Sequence, residues 1–405
     1  MQRSRRWFLR ASAFWSSAAI ACRGRSGAPP AEPRSIGAPI SAYGARSRFE
    51  KAARFVNRNT KAPLEEAASQ TPLHDTFGII TPSSLHFERH HSGVPEIDPA
   101  AHRLTIHGLV DRPLVLTVDE LKRLPSISRI HFLECSGNSS SEWRGGSSGS
   151  DVQRIHGLTS CGEWTGVSAA LLLRECGVHA DAAWVLAEGA DAGKHDRSIP
   201  MQKMMDDALV VYGQNGEPLR PEQGYPLRLL LPGWEGNANV KWLRRLKVTD
   251  QAAMTREETS KYTDLMPDGT ARQFTFVMEP KSVITQPSGG DRLPVAGVYE
   301  VTGIAWSGRG AIARVEITTD GGATWAAADL QTPVLPRAHT RFRWLWKWDG
   351  RNAVIASRCT DETGYTQPPL GELIARRGTN SFYHNSGIQA WRVAPDGTIT
   401  NGNRA

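Results

Sequence analysis

The sequence contains few cysteines, and none of them are paired at metal-binding spacing. Its 405 residues include five cysteines, at positions 22, 135, 161, 176 and 359, and no Cys-x-x-Cys motif. This absence excludes a zinc ribbon and a c-type haem attachment site. Setting Cys22 and Cys135 aside leaves an odd number, which argues against a disulfide framework. Cys161, Cys176 and Cys359 are therefore predicted to be structural.

A long hydrophobic run is also missing. The apolar region at residues 11–21 is too short to anchor a chain permanently in a bilayer. It follows Ser4-Arg5-Arg6-Trp7-Phe8-Leu9-Arg10 and ends in Ala19-Ile20-Ala21, the pattern of a twin-arginine signal with a small-residue cleavage site. A basic amphipathic helix is the alternative interpretation. We predict a twin-arginine signal peptide over 1–28, export of the folded protein to the periplasm, and contact with the membrane only during translocation. Whether Cys22 is cleaved away or lipidated stays open.

An excess of basic charge is absent from most of the chain, although the formal net charge is +7. Residues 1–62 hold 13 Lys and Arg against 2 Asp and Glu, whereas residues 63–405 hold 35 against 39, a net charge of −4. A nucleic-acid-binding body would need the opposite sign. We therefore predict no nucleic-acid partner, and an Ala-, Pro-, Ser-, Gly- and Arg-rich arm or linker over 29–62.

Residues 63–270 have a mixed pattern that predicts an α+β domain. Arg103 to Val110 alternates like a strand, and Thr117 to Pro125 is typical of a short capped helix stopped by proline. Ser168 to Cys176 predicts another helix, closed by Gly177. Because helices and strands do not alternate regularly, an α+β arrangement fits better than a doubly wound sheet.

Beyond about residue 270 the pattern changes to short alternating strands. Val298–Ser307, Ala313–Thr319 and Arg341–Trp348 alternate with period two, and Asp320-Gly321-Gly322 is a hairpin signal. There is no helix signal in this part. We predict an immunoglobulin-like β-sandwich over 271–397, with its tryptophans mainly in the core and at interfaces.

Two segments carry unusual chemistry. Cys135 ends a β-prone run and is followed by Ser136-Gly137-Asn138, which places one thiol at the end of a strand. Such a thiolate suits a transition metal, and a small buried hydrophobe is the alternative interpretation. Residues 85–91, Leu-His-Phe-Glu-Arg-His-His, resemble a zinc site only poorly and are better suited to hold an anion.

Taken in order, several motifs resemble the sulfite oxidase family of molybdopterin enzymes, from about residue 40 to the C-terminus. The motifs are Phe87–His91, Glu134–Asn138, Glu163–Val167, Glu188–Asp191, Tyr225–Arg228 and Asn239–Leu243. Within the family, Thr71–Asp75, Ile79–Pro82, Ile106–Val110 and Tyr262–Leu265 make the chain most similar to the molybdenum subunits of sulfane dehydrogenases. The resemblance implies a mixed α/β molybdopterin-binding domain over 63–270 and a dimerising sandwich over 271–397.

The resemblance also implies roles for particular residues. Cys135 is expected to be the protein ligand of molybdenum, and Arg89, His91 and Tyr262 to line the substrate pocket with it. The residues expected to hold the pterin and its phosphate are Phe87, Glu88, Arg89, His90, His91, Asp191, Gln223, Arg228, Asn239, Val240 and Lys241. The expected cofactor is the molybdenum cofactor, with no haem in this chain.

Two positions depart from the family pattern. Gln223 stands where the family often has histidine, and Ser139-Ser140 where it often has a basic pair. Arg144 could supply the missing charge, although a loop arginine is more often simply solvated. A less positive pocket would favour sulfur bound to a carrier protein over free sulfite.

The resemblance implies an enzyme that oxidises sulfite or carrier-bound sulfane sulfur. Its electrons would pass to a c-type cytochrome subunit, and the expected assembly is a homodimer. Three alternatives stay open: a molybdopterin reductase of methionine sulfoxide, a secreted binding module without catalytic activity, and a zinc hydrolase that uses the histidines. Methionine sulfoxide reductases of this kind lack an appended β-sandwich, so residues 280–395 argue against the first alternative.

Overall fold

The computed structural model describes residue 37 and residues 39–57, 66–146 and 148–403. The predicted signal peptide and Cys22 lie outside the described residues. Residues 39–51 form an exposed, mostly extended segment with a turn closed by a hydrogen bond from the Glu50 N–H to the Ser47 carbonyl (3.0 Å). The residues from Ala52 onward form a compact body.

The N-terminal part of this body combines small sheets with short helices. Its strands are β1 (Phe55–Asn57), β2 (Ala68–Gln70), β3 (Glu88–Arg89), β4 (Arg103–Gly108), β5 (Leu114–Thr117), β6 (Ser126–Glu134), β7 (Thr159–Ser168), β8 (Trp184–Gly189), β9 (Asp196–Pro200), β10 (Leu209–Gln214), β11 (Glu217–Pro218), β12 (Arg228–Leu230), β13 (Leu243–Thr249), β14 (Asp264–Leu265) and β15 (Ala271–Arg272). Its α-helices are α1 (Val118–Lys122), α2 (Val152–His156), α3 (Ala169–Cys176) and α4 (Met201–Asp206).

Two five-stranded sheets form the framework of this part. One has the order β11-β10-β7-β6, with β12 also paired to β10, and the other has the order β5-β4-β13-β8-β9. Strands β4 and β13 are parallel, and their neighbours are antiparallel. This mixed pairing confirms the predicted α+β class. The strand β1 lies inside the predicted arm over 29–62, but it pairs with β2, so the fold begins before residue 63.

Local sequence signals account for the helices that were predicted. The Thr117 side chain accepts a hydrogen bond from the Glu120 N–H, and the Glu120 carboxylate accepts one from the Thr117 N–H, which together form a capping box at the start of α1. Helix α3 ends where Gly177 adopts a φ of +67°, a conformation that glycine reaches without strain.

The C-terminal part is the predicted β-sandwich. Its elements are β16 (Lys281–Gln286), β17 (Gly297–Trp306), β18 (Ile312–Thr318), β19 (Ala326–Ala327), β20 (Asp329–Leu330), β21 (Thr340–Trp348), β22 (Ala353–Asp361), α5 (Leu370–Arg377), β23 (Ala390–Val393) and β24 (Ile399–Asn401). The sheets have the orders β16-β17-β21-β20 and β19-β18-β22-β23-β24. The hairpin predicted at Asp320 joins β18 to β19.

Helix α5 corrects the expectation that this part contains no helix. Its first residues, Leu370-Gly371, follow two prolines and give little helix signal, but its last turn carries Arg376 and Arg377, which suit a helix C-terminus. The connection that follows α5, residues 378–389, runs back to the N-terminal part, where the His384 N–H donates to the Ser136 carbonyl (2.8 Å).

One hydrophobic cluster contains residues from both parts. Phe132, Ile155 and Cys161 from the N-terminal part belong to the same buried cluster as Ile304 and Trp306 of the sandwich. One buried cluster therefore crosses the sequence boundary near residue 270, and another lies wholly within the N-terminal part. The described residues include no helix of the length and apolarity that a membrane crossing requires.

Candidate active site

The loops at the strand ends of the N-terminal part surround a cavity of about 680 Å³, counting the space where it opens to solvent. Its lining residues are Phe87, Arg89, His90, His91, Cys135, Asp191, His195, Gln223, Arg228, Gly236, Asn237, Asn239, Lys241, Trp242 and Tyr262. Segments far apart in sequence thus contribute to one pocket, as the family resemblance predicted.

Cys135 lies directly after β6, and the preceding residue anchors its loop. Glu134 is 1% exposed and accepts hydrogen bonds from Asn138 (2.8 Å), Lys281 (3.1 Å) and the indole of Trp306 (2.7 Å). Lys281 and Trp306 belong to the β-sandwich, so both parts of the molecule hold the end of this strand. A buried carboxylate is stable only when it is paired and hydrogen-bonded in this way.

The other side of the Cys135 loop requires a residue without a side chain. A Cβ atom on Gly236 would lie 2.9 Å from the Glu134 carbonyl oxygen and 3.3 Å from the Cys135 Cα. Gly236 therefore permits the loop that carries Asn237 to approach the cysteine closely.

The thiol of Cys135 lies in surroundings that disfavour its ionisation. Burial raises its pKa above the ordinary value, despite the hydrogen bond from the Gly137 N–H and the charge of Arg89. A thiolate at this position therefore needs a positive partner, and a bound metal ion provides one. Cys161 and Cys359 are fully buried and do not line the pocket, and burial raises the pKa of Cys161 to about 12, so we assign them no such role.

Two cations at the pocket, the buried Arg228 and the half-buried Lys241, form no ion pair with a carboxylate among the described residues. Arg228 is 4% exposed, donates to the carbonyl and amide oxygens of Gln223 (3.2 and 3.3 Å), and leaves its Nε without a partner. Lys241 bonds to the Arg89 and Glu222 carbonyls and to Nδ1 of His90 (3.2, 3.1 and 2.7 Å).

Burial lowers the pKa of both cations, that of Arg228 to about 9 and that of Lys241 well below its ordinary value. Uncompensated buried charge is costly, and an anion in the pocket would remove that cost.

Gln223 replaces the histidine that the family often has. Its amide nitrogen donates to the Phe87 carbonyl (2.9 Å), and its amide oxygen accepts from Arg228. The side chain therefore connects two sides of the pocket without adding charge.

His91 and Tyr262 form a hydrogen-bonded pair at the pocket. Nε2 of His91 lies 3.1 Å from the Tyr262 hydroxyl. Burial, reinforced by Arg89, lowers the pKa of His91 to about 3, so the ring is neutral and can accept a hydrogen bond from the phenol. Burial and the neighbouring Cys135 raise the pKa of Tyr262 well above its ordinary value, so its hydroxyl stays protonated.

A buried arginine supports the Tyr262 ring. The Arg197 guanidinium centre lies 4.9 Å from the centre of that ring, and the side chain pairs with Glu235 (3.1 Å) and Glu258 (2.9 Å). Burial acts to raise the pKa of Glu235, but Arg197 and the hydrogen bond from His384 hold it at about 2. The network remains charged and keeps the tyrosine in place.

Arg89 lines the cavity and donates to the backbone carbonyls of Glu66 (2.9 Å) and His90. Like Lys241, it has no carboxylate partner in the described part of the chain. Its charge is available to an anion that enters the pocket.

The structure places a few predicted site residues differently from the expectation. Glu88 does not line the cavity; its carboxylate binds His90 (2.7 Å) and Arg54 and so supports the pocket from behind. Val240 is 1% exposed and packs into the apolar core. Asn239 lines the cavity, but its amide is occupied by the Leu231 N–H (2.6 Å) and by backbone carbonyls.

The basic pair missing at 139–140 is not replaced by Arg144. That side chain is exposed on a 3₁₀ turn and does not line the cavity. Ser139 is buried and accepts a hydrogen bond from Lys281 (2.8 Å).

Sequence reasoning missed His195 and did not assign roles to Trp242 and Asn237. His195 lines the pocket, and its Nε2–H donates to the Asn237 carbonyl (2.8 Å). A single histidine in a polar loop carries no recognisable pattern, whereas the Asn237 loop and Trp242 belong to motifs already visible in the sequence. Within the described residues, no three His, Cys, Asp or Glu side chains are grouped to hold a metal ion, so the zinc hydrolase has no site there.

The pocket suits a molybdenum–pterin cofactor with a phosphate end. The partnerless Nε of Arg228 and the positive charge of Lys241 fit an anionic phosphate, and the buried, partnerless Oδ1 of Asn237 fits an N–H donor of a pterin. Cys135 supplies one soft ligand.

Comparisons with known proteins agree with this fit. Residues 91–257 match the family model "Oxidoreductase molybdopterin binding domain", and residues 272–390 match "Mo-co oxidoreductase dimerisation domain". The structure of the sulfane dehydrogenase SoxCD from Paracoccus pantotrophus is 45% identical, with a TM-score of 0.88, and the match covers 91% of this chain and 95% of that one.

More distant relatives have larger chains. Mitochondrial sulfite oxidase from Rattus norvegicus is 31% identical over 71% of this chain and 55% of its own length. Nitrate reductase [NAD(P)H] from Hordeum vulgare is 32% identical over 76% of this chain and 38% of its own. The chain thus spans only part of these relatives. The two matched models, together with the near-complete likeness to SoxCD, show that the chain belongs to the sulfite oxidase family of molybdopterin oxidoreductases.

Proposed function

We propose that this protein is a molybdenum-cofactor-dependent oxidoreductase that oxidises the sulfur of sulfite or of carrier-bound sulfane sulfur. The observation that carries the proposal is the pocket itself, which is lined by one thiol and by cations that form no ion pair in the described part of the chain. When bound, the cofactor supplies oxygen-atom transfer to sulfur and accepts two electrons.

The side chains of the pocket would bind and orient the substrate. Arg89 would hold an anionic sulfur group by charge-assisted hydrogen bonds, each contributing roughly 1.5–3 kcal/mol. Tyr262, whose hydroxyl is protonated and hydrogen-bonded to neutral His91, would orient the substrate in the pocket. Cys135 would hold the metal, and Arg228 and Lys241 the cofactor phosphate.

We further propose a periplasmic homodimer exported by the twin-arginine route, with a c-type cytochrome as the electron acceptor. The structurally similar SoxCD is a sulfane dehydrogenase, and the second matched model is a dimerisation domain. Both support the proposal, as does the twin-arginine pattern at the N-terminus. Sedimentation of the purified protein should give twice the chain mass, and a stable monomer would contradict the dimer.

The test is an assay of the purified protein with three compounds. Sulfite and thiosulfate-derived sulfur on its carrier are offered as electron donors to oxidised cytochrome c, and nitrate is offered as an acceptor to reduced viologen. We expect cytochrome reduction with a sulfur donor and about one molybdenum per chain. Nitrate reduction without sulfur oxidation would transfer the function to the nitrate reductase side of the family, and a metal-free, inactive protein from cofactor-competent cells would support a binding module.

The choice between the two sulfur donors follows from the neutral Gln223, which lines the cavity, whereas Ser139 and Ser140 do not. With fewer cations than the family often has, the pocket should turn over carrier-bound sulfur better than free sulfite. Equal or better turnover of sulfite would contradict this preference without affecting the wider proposal.

A further inference from the structure

Three ring side chains of the pocket pack beside one another. His195 lines the same cavity as His91 and Tyr262. Its ring is nearly parallel to that of His91, with the ring centres 6.3 Å apart and 14° between the planes. It meets the Tyr262 ring edge-on, at 6.1 Å and 85°. His195 therefore belongs to the same wall of the cavity as the two residues that are expected to line the substrate pocket, although it has no assigned role.

Two hydrogen bonds hold His195 in this position. Its backbone N–H donates to Oδ1 of Asp191 (3.0 Å), and its Nε2–H donates to the carbonyl of Asn237 (2.8 Å). Asn237 follows Gly236, on the loop that approaches Cys135 closely. A ring restrained in this way can meet a ligand with little further loss of conformational freedom.

The same hydrogen bonds determine which ring nitrogen of His195 stays open. A carbonyl oxygen only accepts, so Nε2 carries a hydrogen and Nδ1 is the remaining nitrogen. Within the described residues Nδ1 has no hydrogen-bond partner, and it is not among their fully buried partnerless atoms. The side chain itself is half-buried. Nδ1 is therefore open to a small ligand that enters the cavity.

The other two histidines of the cavity lining are already engaged. His90 contacts Glu88 through Nε2 (2.7 Å) and Lys241 through Nδ1 (2.7 Å), and His91 is bonded to Tyr262. Burial lowers the pKa of His90 to about 4 and that of His91 to about 3, so both rings stay neutral. An anion beside an imidazole favours its protonated form, in which an open Nδ1 becomes an N–H donor.

We propose that His195 is a substrate-binding residue: its Nδ1–H donates a hydrogen bond to a sulfur oxyanion that enters the cavity. The proposal rests on the proposed function and deepens it, because it adds a donor from the connection between β8 and β9 to the charge of Arg89. A sulfur oxyanion has several acceptor oxygens, so a second donor on the cavity wall complements the arginine. Such a hydrogen bond is charge-assisted and belongs to the stronger class.

Two other roles are conceivable for His195: holding the Asn237 loop through Nε2, or packing its ring beside His91. Three variants separate the roles. His195→Asn places an amide near the position of Nδ1 but does not reach the Asn237 carbonyl, whereas His195→Gln places its amide near the position of Nε2. His195→Phe keeps only the ring. His179→Asn is the matched control, because His179 does not line the cavity and its ring pairs with Asp111 (3.3 Å) on the surface.

The experiment measures the Kd of sulfate, a product-like anion, by calorimetry on cofactor-loaded protein, and KM and kcat for sulfite oxidation, all referred to molybdenum content. For His195→Gln and His195→Phe we expect the sulfate Kd and the sulfite KM to rise about tenfold or more, as the loss of a charge-assisted hydrogen bond requires. In His195→Asn both values should stay within about threefold of wild type, because the amide N–H replaces the lost donor. His179→Asn should leave every value unchanged.

Wild-type sulfate binding in His195→Gln would assign His195 to the support of the Asn237 loop, and wild-type binding in His195→Phe would assign it to packing; either result overturns the proposal. It is also overturned if His195→Asn binds sulfate as weakly as His195→Gln, if only kcat changes, or if the wild type binds no sulfate. Failure of the proposed function has a different signature, since the wild type would then oxidise no sulfur donor. In that case the calorimetric comparison of the variants still tests the role of His195.

Discussion

Replacing Glu134 by glutamine would test how the Cys135 loop is supported. The carboxylate and Lys281 are each 1% exposed and lie 3.1 Å apart. The variant keeps the size of the side chain, but it removes the charge that compensates the buried ammonium. It also replaces one carboxylate oxygen by an NH₂ group, which can only donate. The oxygen that is lost accepts a hydrogen bond either from Trp306 or from both Asn138 and Lys281.

Breaking a buried ion pair from one side typically lowers the free energy of unfolding by about 3–5 kcal/mol, and we expect a loss of that size. The loss should depend on pH. Burial already lowers the pKa of Lys281, and Glu134 opposes that shift. Without Glu134 the folded-state pKa falls further below that of the unfolded chain. The unfolded chain then binds more protons, so the stability of the variant should rise as the pH increases towards the unfolded lysine value of about 10.4.

The assay is urea-induced unfolding, followed by tryptophan fluorescence at several pH values. The double variant Glu134→Gln/Lys281→Met removes both charges and should recover much of the stability lost by the single variant. Asp349→Asn, at an exposed ion pair, should cost no more than about 1 kcal/mol. A loss below about 1 kcal/mol in Glu134→Gln, or a double variant as unstable as the single one, would refute the reasoning.

Three further variants test the site. Cys135→Ser should give folded protein that retains pterin but loses molybdenum and most turnover, measured by elemental analysis and sulfite assay; undiminished activity would exclude the ligand role. Arg228→Met should stabilise the cofactor-free protein by about 1 kcal/mol or more, because an uncompensated buried charge is removed, and should abolish retention of the phosphate-ended cofactor; thermal unfolding and pterin content measure these effects. Gly236→Ala should displace the Cys135 loop and lower the molybdenum content, whereas Gly371→Ala, in α5 with open space around its Cβ position, should be neutral or slightly stabilising; equal molybdenum content in both would contradict the close-approach argument.

Much of the fold was predictable because local signals agreed with it. The Thr117–Glu120 capping box predicted α1, and the period-two alternation predicted β17 and β21. Helix α5 was missed because its first turn contains glycine and follows prolines, so tertiary packing of Leu373, which is fully buried, outweighs weak local propensity there.

For the candidate site, recognisable motifs placed the cysteine, the anion-binding histidine segment and the Lys241 loop. The motifs could not predict which side chains pair when the two residues are far apart in the sequence. The partnership of Glu134 with Lys281 joins residues 147 positions apart, and the contact of Ser136 with His384 spans even more of the chain. Nothing in either segment specifies the other, since such contacts depend on how the two parts of the core meet.

The shared core has a consequence for the order of events during biosynthesis. Lys281 and His384, which contact the residues on either side of Cys135, are synthesised more than a hundred residues after it, so the emerging chain cannot complete the surroundings of that thiol while only its first half has left the ribosome. Insertion of the cofactor should therefore be a late, post-translational event that requires the C-terminal strands to have folded.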